Sequence, residues 1–284
     1  MKDINFKHTE DTLFLEEEHI ILKEQLKKFV ETEVKPVAQK WESDGFIPRE
    51  VFRKMGSLGF LGITYPTEFG GSELDVRGSV VFAEELGKST FSGFAIASLV
   101  HTDMASVHLL NAGNKEQKDK YLSDIVSGNK ISCVAVTEPH AGSDVKNIRT
   151  KAVKVGNKYL INGSKIFITN GVHSEIYFVA AKTSDALQQS GNITMFIVRK
   201  DNPGLIVNKQ LDKHGWRCSD TAELFFQDCE VEEADVLGTL HKGFYAIMQN
   251  FQNERLVMGA MAMGEAQAAI DSTIEYVKQR DAFG

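Results

Sequence analysis

The sequence has little positive charge to spare, few cysteines, and no long apolar run. Lys and Arg total 32 against 39 Asp and Glu, a net charge of −7. That leaves no basic footprint for nucleic acid. The three cysteines (Cys133, Cys218 and Cys229) lack C-x-x-C spacing, which argues against a disulfide framework or a zinc site. The apolar runs around Phe94–Val100 and Ile131–Val136 are far below the roughly 18 residues a membrane span requires. The start, Met1 to Lys7, lacks the apolar core of a signal peptide. These absences predict a soluble, cytoplasmic protein. No G-x-G-x-x-G follows a strand, and there is no P-loop and no H-E-x-x-H. His101 and His108 share a helical face, but seven residues put them about 10 Å apart along the axis, too far for one metal ion. No metal is expected. What is present is an ordinary globular composition, 42% apolar and 25% charged, over 284 residues, enough for two or three domains.

Up to about residue 130 the periodicity is helical. Leu15, Leu22, Leu26, Phe29, Val30, Val34 and Val37 form an apolar stripe that Pro36 should kink or end. A short helix follows Pro48, and a Gly-punctuated connection runs from Gly59 to Gly71. Helical patterns resume at Ser79–Gly87, Phe94–Gly113 and Lys115–Val126. From Lys130 the texture becomes β-like. Short strand candidates include Ile131–Val136, Lys158–Gly163, Ile176–Ala181, Ile193–Val198, Leu205–Val207 and Leu224–Val231, with a hairpin at Gly156-Asn157. They indicate a β-barrel or sandwich spanning 131–236. From Lys242 to the end the period is helical again, with Phe244, Ile247, Met248, Phe251, Met258 and Ala262 as its stripe. A single helix of that length either lies on the first helical domain or has lost its partners, and truncation is the expectation. The fold class is thus α+β and multi-domain: helices over 1–130, a middle β-domain over 131–236, and the start of a C-terminal helical bundle over 237–284.

Two segments could carry chemistry. In Val134-Ala135-Val136-Thr137-Glu138-Pro139-His140-Ala141-Gly142-Ser143-Asp144 a strand runs into a turn rich in backbone N–H groups and hydroxyls. Such a turn suits a ligand with many acceptors, although a plain polar turn reads the same way. Lys165-Ile166-Phe167-Ile168-Thr169-Asn170-Gly171 puts an aromatic and a hydroxyl at a strand end, or is simply a strand before an Asn-Gly turn.

Further motifs occur with these two in a fixed order: Tyr65-Pro66-Thr67-Glu68-Phe69-Gly70-Gly71, Ala83-Glu84-Glu85-Leu86, Gly215-Trp216-Arg217-Cys218-Ser219-Asp220-Thr221, Asn253-Glu254-Arg255, and Arg280-Asp281-Ala282-Phe283-Gly284. Together they resemble the acyl-CoA dehydrogenase family along essentially the whole chain, and its isovaleryl-CoA and long-chain types in particular. Members are FAD enzymes with a helical domain, a β-domain and a four-helix bundle, assembled as homotetramers or homodimers. They are longer than this chain, which by that measure looks C-terminally truncated.

The resemblance implies that Val134, Val136, Thr137, Gly142 and Ser143 form a flavin loop, with Ser143 also near the pantetheine arm of an acyl-CoA. Position 134 is often aromatic in relatives. Phe167, Ile168 and Thr169 would back the flavin ring. Arg280 and Phe283 match R-x-x-F-G, whose arginine contacts the FAD pyrophosphate of a neighbouring subunit, a chemistry suited to guanidinium. Taken alone, Arg280 has the lesser alternative of stabilising a helix C-terminus. Gln252, Asn253 and Arg255 fall where the substrate would bind. The implied reaction is α,β-dehydrogenation of an acyl-CoA, with electrons passing to an electron-transferring flavoprotein.

A minority of the family carries the catalytic base on the long helix within Glu-Arg-Leu, which matches Glu254-Arg255-Leu256. Glu254 lies three residues after Phe251 and four before Met258, so it borders the apolar stripe. The other reading is a surface carboxylate beside Arg255. Two rival functions remain open: a same-fold flavin oxidase or monooxygenase, and a non-catalytic acyl-CoA-binding fragment.

Overall fold

The computed structural model describes residues 14–184 and 192–283; Met1 to Lys7 and Gly284, which entered the sequence reading, lie outside them. Eight α-helices and eight β-strands are resolved there. The helical part comprises α1 (Glu17–Phe29), α2 (Ala38–Asp44), α3 (Arg49–Ser57), α4 (Val76–Gly87), α5 (Ser92–Leu99), α6 (Val107–Ala112) and α7 (Lys115–Val126). Helix α1 buries Leu22, Leu26 and Phe29, runs through a π-helical turn at Val30–Val34, and gives way to turns around Pro36. Asp75 caps α4 by accepting the Arg77 N–H, and Asn114 with Gln117 forms a capping box on α7.

A second π-helical segment, Val100–Ser106, joins α5 to α6 in one continuous rod. Ser92–Ala112 is long and apolar enough to cross a membrane by length and composition, which the short apolar runs did not suggest. Its apolar window is 89% buried inside the protein. His101, within the π segment, accepts the Ser132 N–H on Nδ1, and its Nε2 meets the Ile125 carbonyl oxygen. This buried imidazole clasps the helical domain to the first strand.

The strands are β1 (Ser132–Ala135), β2 (Lys151–Val155), β3 (Lys158–Thr169), β4 (Ile176–Lys182), β5 (Ile193–Arg199), β6 (Leu205–Gln210), β7 (Thr221–Glu232) and β8 (Val236–Leu237). They make one mixed sheet ordered β6-β7-β3-β2-β4-β5-β8, with β1 paired in parallel to β4. The β2–β3 hairpin turns at Gly156, whose φ of +63° suits glycine. The sheet curls around Cys133, Tyr159, Phe196, Leu224 and Val231, and rings on non-adjacent strands meet, Tyr159 lying 5.3 Å from Phe196. It does not close, because β6 and β8 at its two ends are not paired with each other. "Barrel" is therefore too strong a description. Strands β4 and β5 are buried on both faces, since the opposite side of the sheet packs on the helical core.

Helix α8 (Gly243–Gln279) has 37 residues and rises about 55 Å. It lies on the helical domain, with α4 as its main neighbour. Two glycines permit the close approach: a Cβ on Gly87 would sit 2.3 Å from the Met261 carbonyl oxygen, and one on Gly264 would sit 2.1 Å from that of Glu84. The fully buried line of α8 is Gly243, Ile247, Asn250, Val257, Met261 and Gly264. Ile247 of the expected stripe is fully buried, its aromatic and methionine members pack against the core from the side, and Ala262 is the one correction. Phe244, Met248, Phe251 and Met258 are half-buried flanks and Ala262 is exposed, because the closest approach falls on a glycine and an asparagine that hydropathy does not mark. Beyond Gly264 the helix presents Ile270, Ile274, Tyr276 and Val277 to solvent.

Candidate active site

Strand β1 runs into a turn held from several sides. Glu138 and Ala141 exchange backbone hydrogen bonds, and the Ile166 N–H donates to the Thr137 carbonyl at 3.0 Å. Below the turn lies a fully buried ion pair. Lys165 Nζ donates to Glu138 Oε1 at 2.8 Å and to the Val136 carbonyl at 2.9 Å. Glu138 also accepts the N–H groups of Arg149 and Thr150. Burial opposes its ionisation, but the Lys165 charge and these donors hold the carboxyl below its usual range. Burial likewise pushes the Lys165 ammonium down to about 8, against the pull of Glu138.

Opposite the turn, β3 carries a β-bulge between Lys165 and Ile168, where the register with β7 shifts. Phe167 takes a left-handed backbone there, φ +61°, uncommon for a bulky residue. The bulge re-aims its ring, which is 65% exposed, toward the mouth of a cavity.

That cavity has a volume of about 250 Å³. Its sheet wall is Val134, Val136, Thr137, Gly142, Phe167, Ile168 and Thr169, and its helix wall includes Val100, His108, Phe251 and Glu254. Residues from β1, the turn, the β3 bulge and α8 thus converge, although they are up to 120 positions apart (134 to 254) in sequence. Glu254 is half-buried, and burial pushes its carboxyl up to about 7 against the lowering effects of an Asn250 hydrogen bond and the Arg255 charge. A carboxyl of that affinity in an apolar recess can take up a proton near neutral pH.

The other residues singled out from the sequence lie elsewhere. Ser143 is exposed next to Gly142 and does not line the cavity. Gln252 and Asn253 face a neighbouring groove of about 570 Å³ between α8, the π segment and the start of α4. Arg255 is exposed, its guanidinium 5.6 Å from the Phe251 ring. Arg280 and Phe283 are exposed beyond the end of α8, about 40 Å along the axis from Glu254. They are not part of this cavity.

Sequence reasoning missed Val100, Val145 and His108, which line the cavity, and Asn250, which lines the neighbouring groove. His108 is 3% exposed, and its Nε2 has no protein partner among the described residues. Burial alone pushes its imidazole down to about 4. Only its helical spacing from His101 was visible in sequence, which says nothing of the wall it joins.

The residues on the sheet wall suit a flat heteroaromatic ring with polar edges, since two threonine hydroxyls interrupt an otherwise apolar surface. The volume matches a ring system and not a whole dinucleotide.

Comparison with known proteins agrees with the fold. Family models match along the chain: acyl-CoA dehydrogenase N-terminal domain at residues 16–129, middle domain at 133–229 and C-terminal domain at 241–284. Mitochondrial isovaleryl-CoA dehydrogenase of Pongo abelii is 40% identical over 273 residues, covering 95% of this chain and 64% of that protein. Acyl-CoA dehydrogenase from Geobacillus kaustophilus superposes with a TM-score of 0.90 at 41% identity, covering 95% of this chain and 71% of that one. Acyl-CoA dehydrogenase complexed with FAD from Bacillus anthracis gives 0.88 at 30% identity, covering 95% and 46%. The chain therefore spans a little under two thirds of the length of the Pongo relative. Across helical domain, sheet and long helix, this chain belongs to the acyl-CoA dehydrogenase family.

Proposed function

We propose that the chain carries out FAD-dependent α,β-dehydrogenation of an acyl-CoA thioester, with Glu254 as the base. The observation that carries this reading is the position of Glu254: a carboxyl of raised proton affinity on α8 lines the same small cavity, of mixed apolar and polar lining, as Thr137 and Thr169. FAD, when bound, supplies the hydride acceptor; Val134, Val136, Thr137, Gly142, Phe167, Ile168 and Thr169 would hold its ring. The Bacillus anthracis relative, described as an FAD complex, supports the cofactor assignment.

Glu254 takes the proton from the α-carbon. The apolar walls, Val100, Val134, Val136 and Phe251, keep water from competing for that carboxylate and strengthen its proton affinity. Ser143, Gln252, Asn253 and Arg255 are available to the pantetheine arm on the flanks of the site. Arg280 and Phe283, remote from their own chain's cavity, would serve the pyrophosphate of a second copy in a homodimer or homotetramer. An electron-transferring flavoprotein is the electron acceptor in this reading.

The test is spectroscopic. The FAD-loaded protein should be yellow and should bleach anaerobically on addition of an acyl-CoA. Bleaching by a nitroalkane or NADH and not by any acyl-CoA would assign it to oxidase or monooxygenase chemistry. A protein that binds acyl-CoA but cannot be loaded with flavin would be a binding module.

A further inference from the structure

Asn250 lies one helical turn before Glu254 on α8 and is 4% exposed. Its Nδ2 stands 2.8 Å from Glu254 Oε1, 3.2 Å from the Met104 carbonyl oxygen and 3.4 Å from that of Asp103. Those two carbonyls belong to the π segment Val100–Ser106. A π turn widens the helix and turns carbonyl lone pairs outward, where a side chain from another helix can reach them. The amide orientation is fixed by this company. Flipping it would set the carbonyl oxygen against three other oxygens, while Oδ1 as it stands has no protein partner among the described residues.

We infer that Asn250 is a positioning residue for the proton-transfer step: its amide fixes the Glu254 carboxylate at the cavity wall by tying it to the π segment. The inference rests on Glu254 being the base, and goes beyond it by naming the group that fixes the base's orientation and tempers the rise in proton affinity that burial causes. A carboxylate accepts the Nδ2–H bond better than a neutral acid does. Glu254 would otherwise be free to swing between the cavity and the groove beside Asn253.

Among the described residues, the charged and titratable neighbours of the carboxyl make no hydrogen bond to it, although the Arg255 charge also favours its ionisation. Arg255 on α8 turns its guanidinium to the Phe251 ring. His108 on α6 is held neutral by burial. Asp103 in the π segment directs its carboxyl to the hydroxyls of Ser79 and Thr102. Asn250 is the neutral donor in direct contact.

The test replaces Asn250 with Leu, which keeps the branching without the hydrogen-bonding groups, and with Asp, similar in size and shape. Two readouts are taken on the FAD-loaded protein: infrared difference titration of the Glu254 carboxyl, and the pH profile of anaerobic flavin reduction by an acyl-CoA. Asn250→Leu should move the carboxyl midpoint upward by about one pH unit. The limiting reduction rate should fall roughly tenfold, with little change in KM. Asn250→Asp should move the midpoint further, because two adjacent carboxyls share a proton. It also serves should the Leu variant fail to fold. An unmoved carboxyl midpoint in either folded variant overturns the inference. If the infrared midpoint moves while flavin reduction does not follow, the amide's hold on the carboxyl stands and Glu254 is not the base.

Discussion

Lys165 Nζ and Glu138 Oε1 stand 2.8 Å apart with both side chains almost wholly out of solvent, on the underside of the turn that forms one wall of the cavity. Strand β3 supplies the ammonium and the turn after β1 supplies the carboxylate, so the pair locks the two segments bearing Thr137 and Thr169 to each other.

Lys165→Met should destabilise the protein by about 3–5 kcal/mol, because it strands a buried carboxylate. The double variant Lys165→Met with Glu138→Leu should recover much of that loss. Urea unfolding of the single and double variants checks both values. A single-variant loss below about 1 kcal/mol, the range of exposed pairs, would show that the pair is not buried in solution.

The two histidines of the α5–α6 rod set an acid limit. Burial pushes His101 and His108 down to about 4 from an ordinary 6.5. The unfolded chain therefore binds protons between pH 6.5 and 4 that the folded chain refuses, and stability falls as pH drops through that window. Each histidine contributes up to about 3 kcal/mol to the fall. His108→Leu should flatten part of the curve and cost little or nothing at neutral pH, since no protein group among the described residues pairs with its Nε2. Thermal midpoints across pH check this; an unchanged slope would contradict it.

The contact between α4 and α8 determines where Glu254 sits. Gly264→Ala would place a methyl 2.1 Å from the Glu84 carbonyl oxygen, a backbone atom that cannot step aside. The expected cost is about 1–3 kcal/mol, with a shift of α8 that also weakens flavin retention in the loaded protein. Gly259→Ala, on an open stretch of the same helix, is the control and should be neutral or slightly stabilising. Equal stability of the two variants would remove the close-packing explanation.

How much of this was legible in the sequence varies by element. The change from helical to strand periodicity near Lys130 and back near Lys242 is a property of local patterning, so the order of helices, sheet and long helix could be read directly. The turn after Val136 and the Phe167–Thr169 segment were visible as unusual strand ends, but only a resemblance joined them to Glu254. What could not be read is set by tertiary contact. The bulge that gives Phe167 a positive φ arises from its pairing with β7. The π segment is a feature of hydrogen-bond register, which leaves no apolar signature. Asn250 breaks the apolar stripe of α8, so polarity hid a residue that the packing buries. Arg280 shows the opposite: the motif stood out in sequence, yet the helix carries it far from its own chain's cavity.

The central claim is that Glu254 removes the α-proton, and one comparison tests it most directly. Glu254→Gln preserves the shape of the side chain and the contact with Asn250 while deleting the proton acceptor. The measurement is anaerobic stopped-flow reduction of FAD-loaded protein by an acyl-CoA, with and without the substitution, which isolates the chemical step from electron delivery. The expected result is unchanged acyl-CoA binding with flavin reduction slowed by roughly 10²–10⁴-fold. Reduction at close to the unsubstituted rate would contradict it and place the base on another residue.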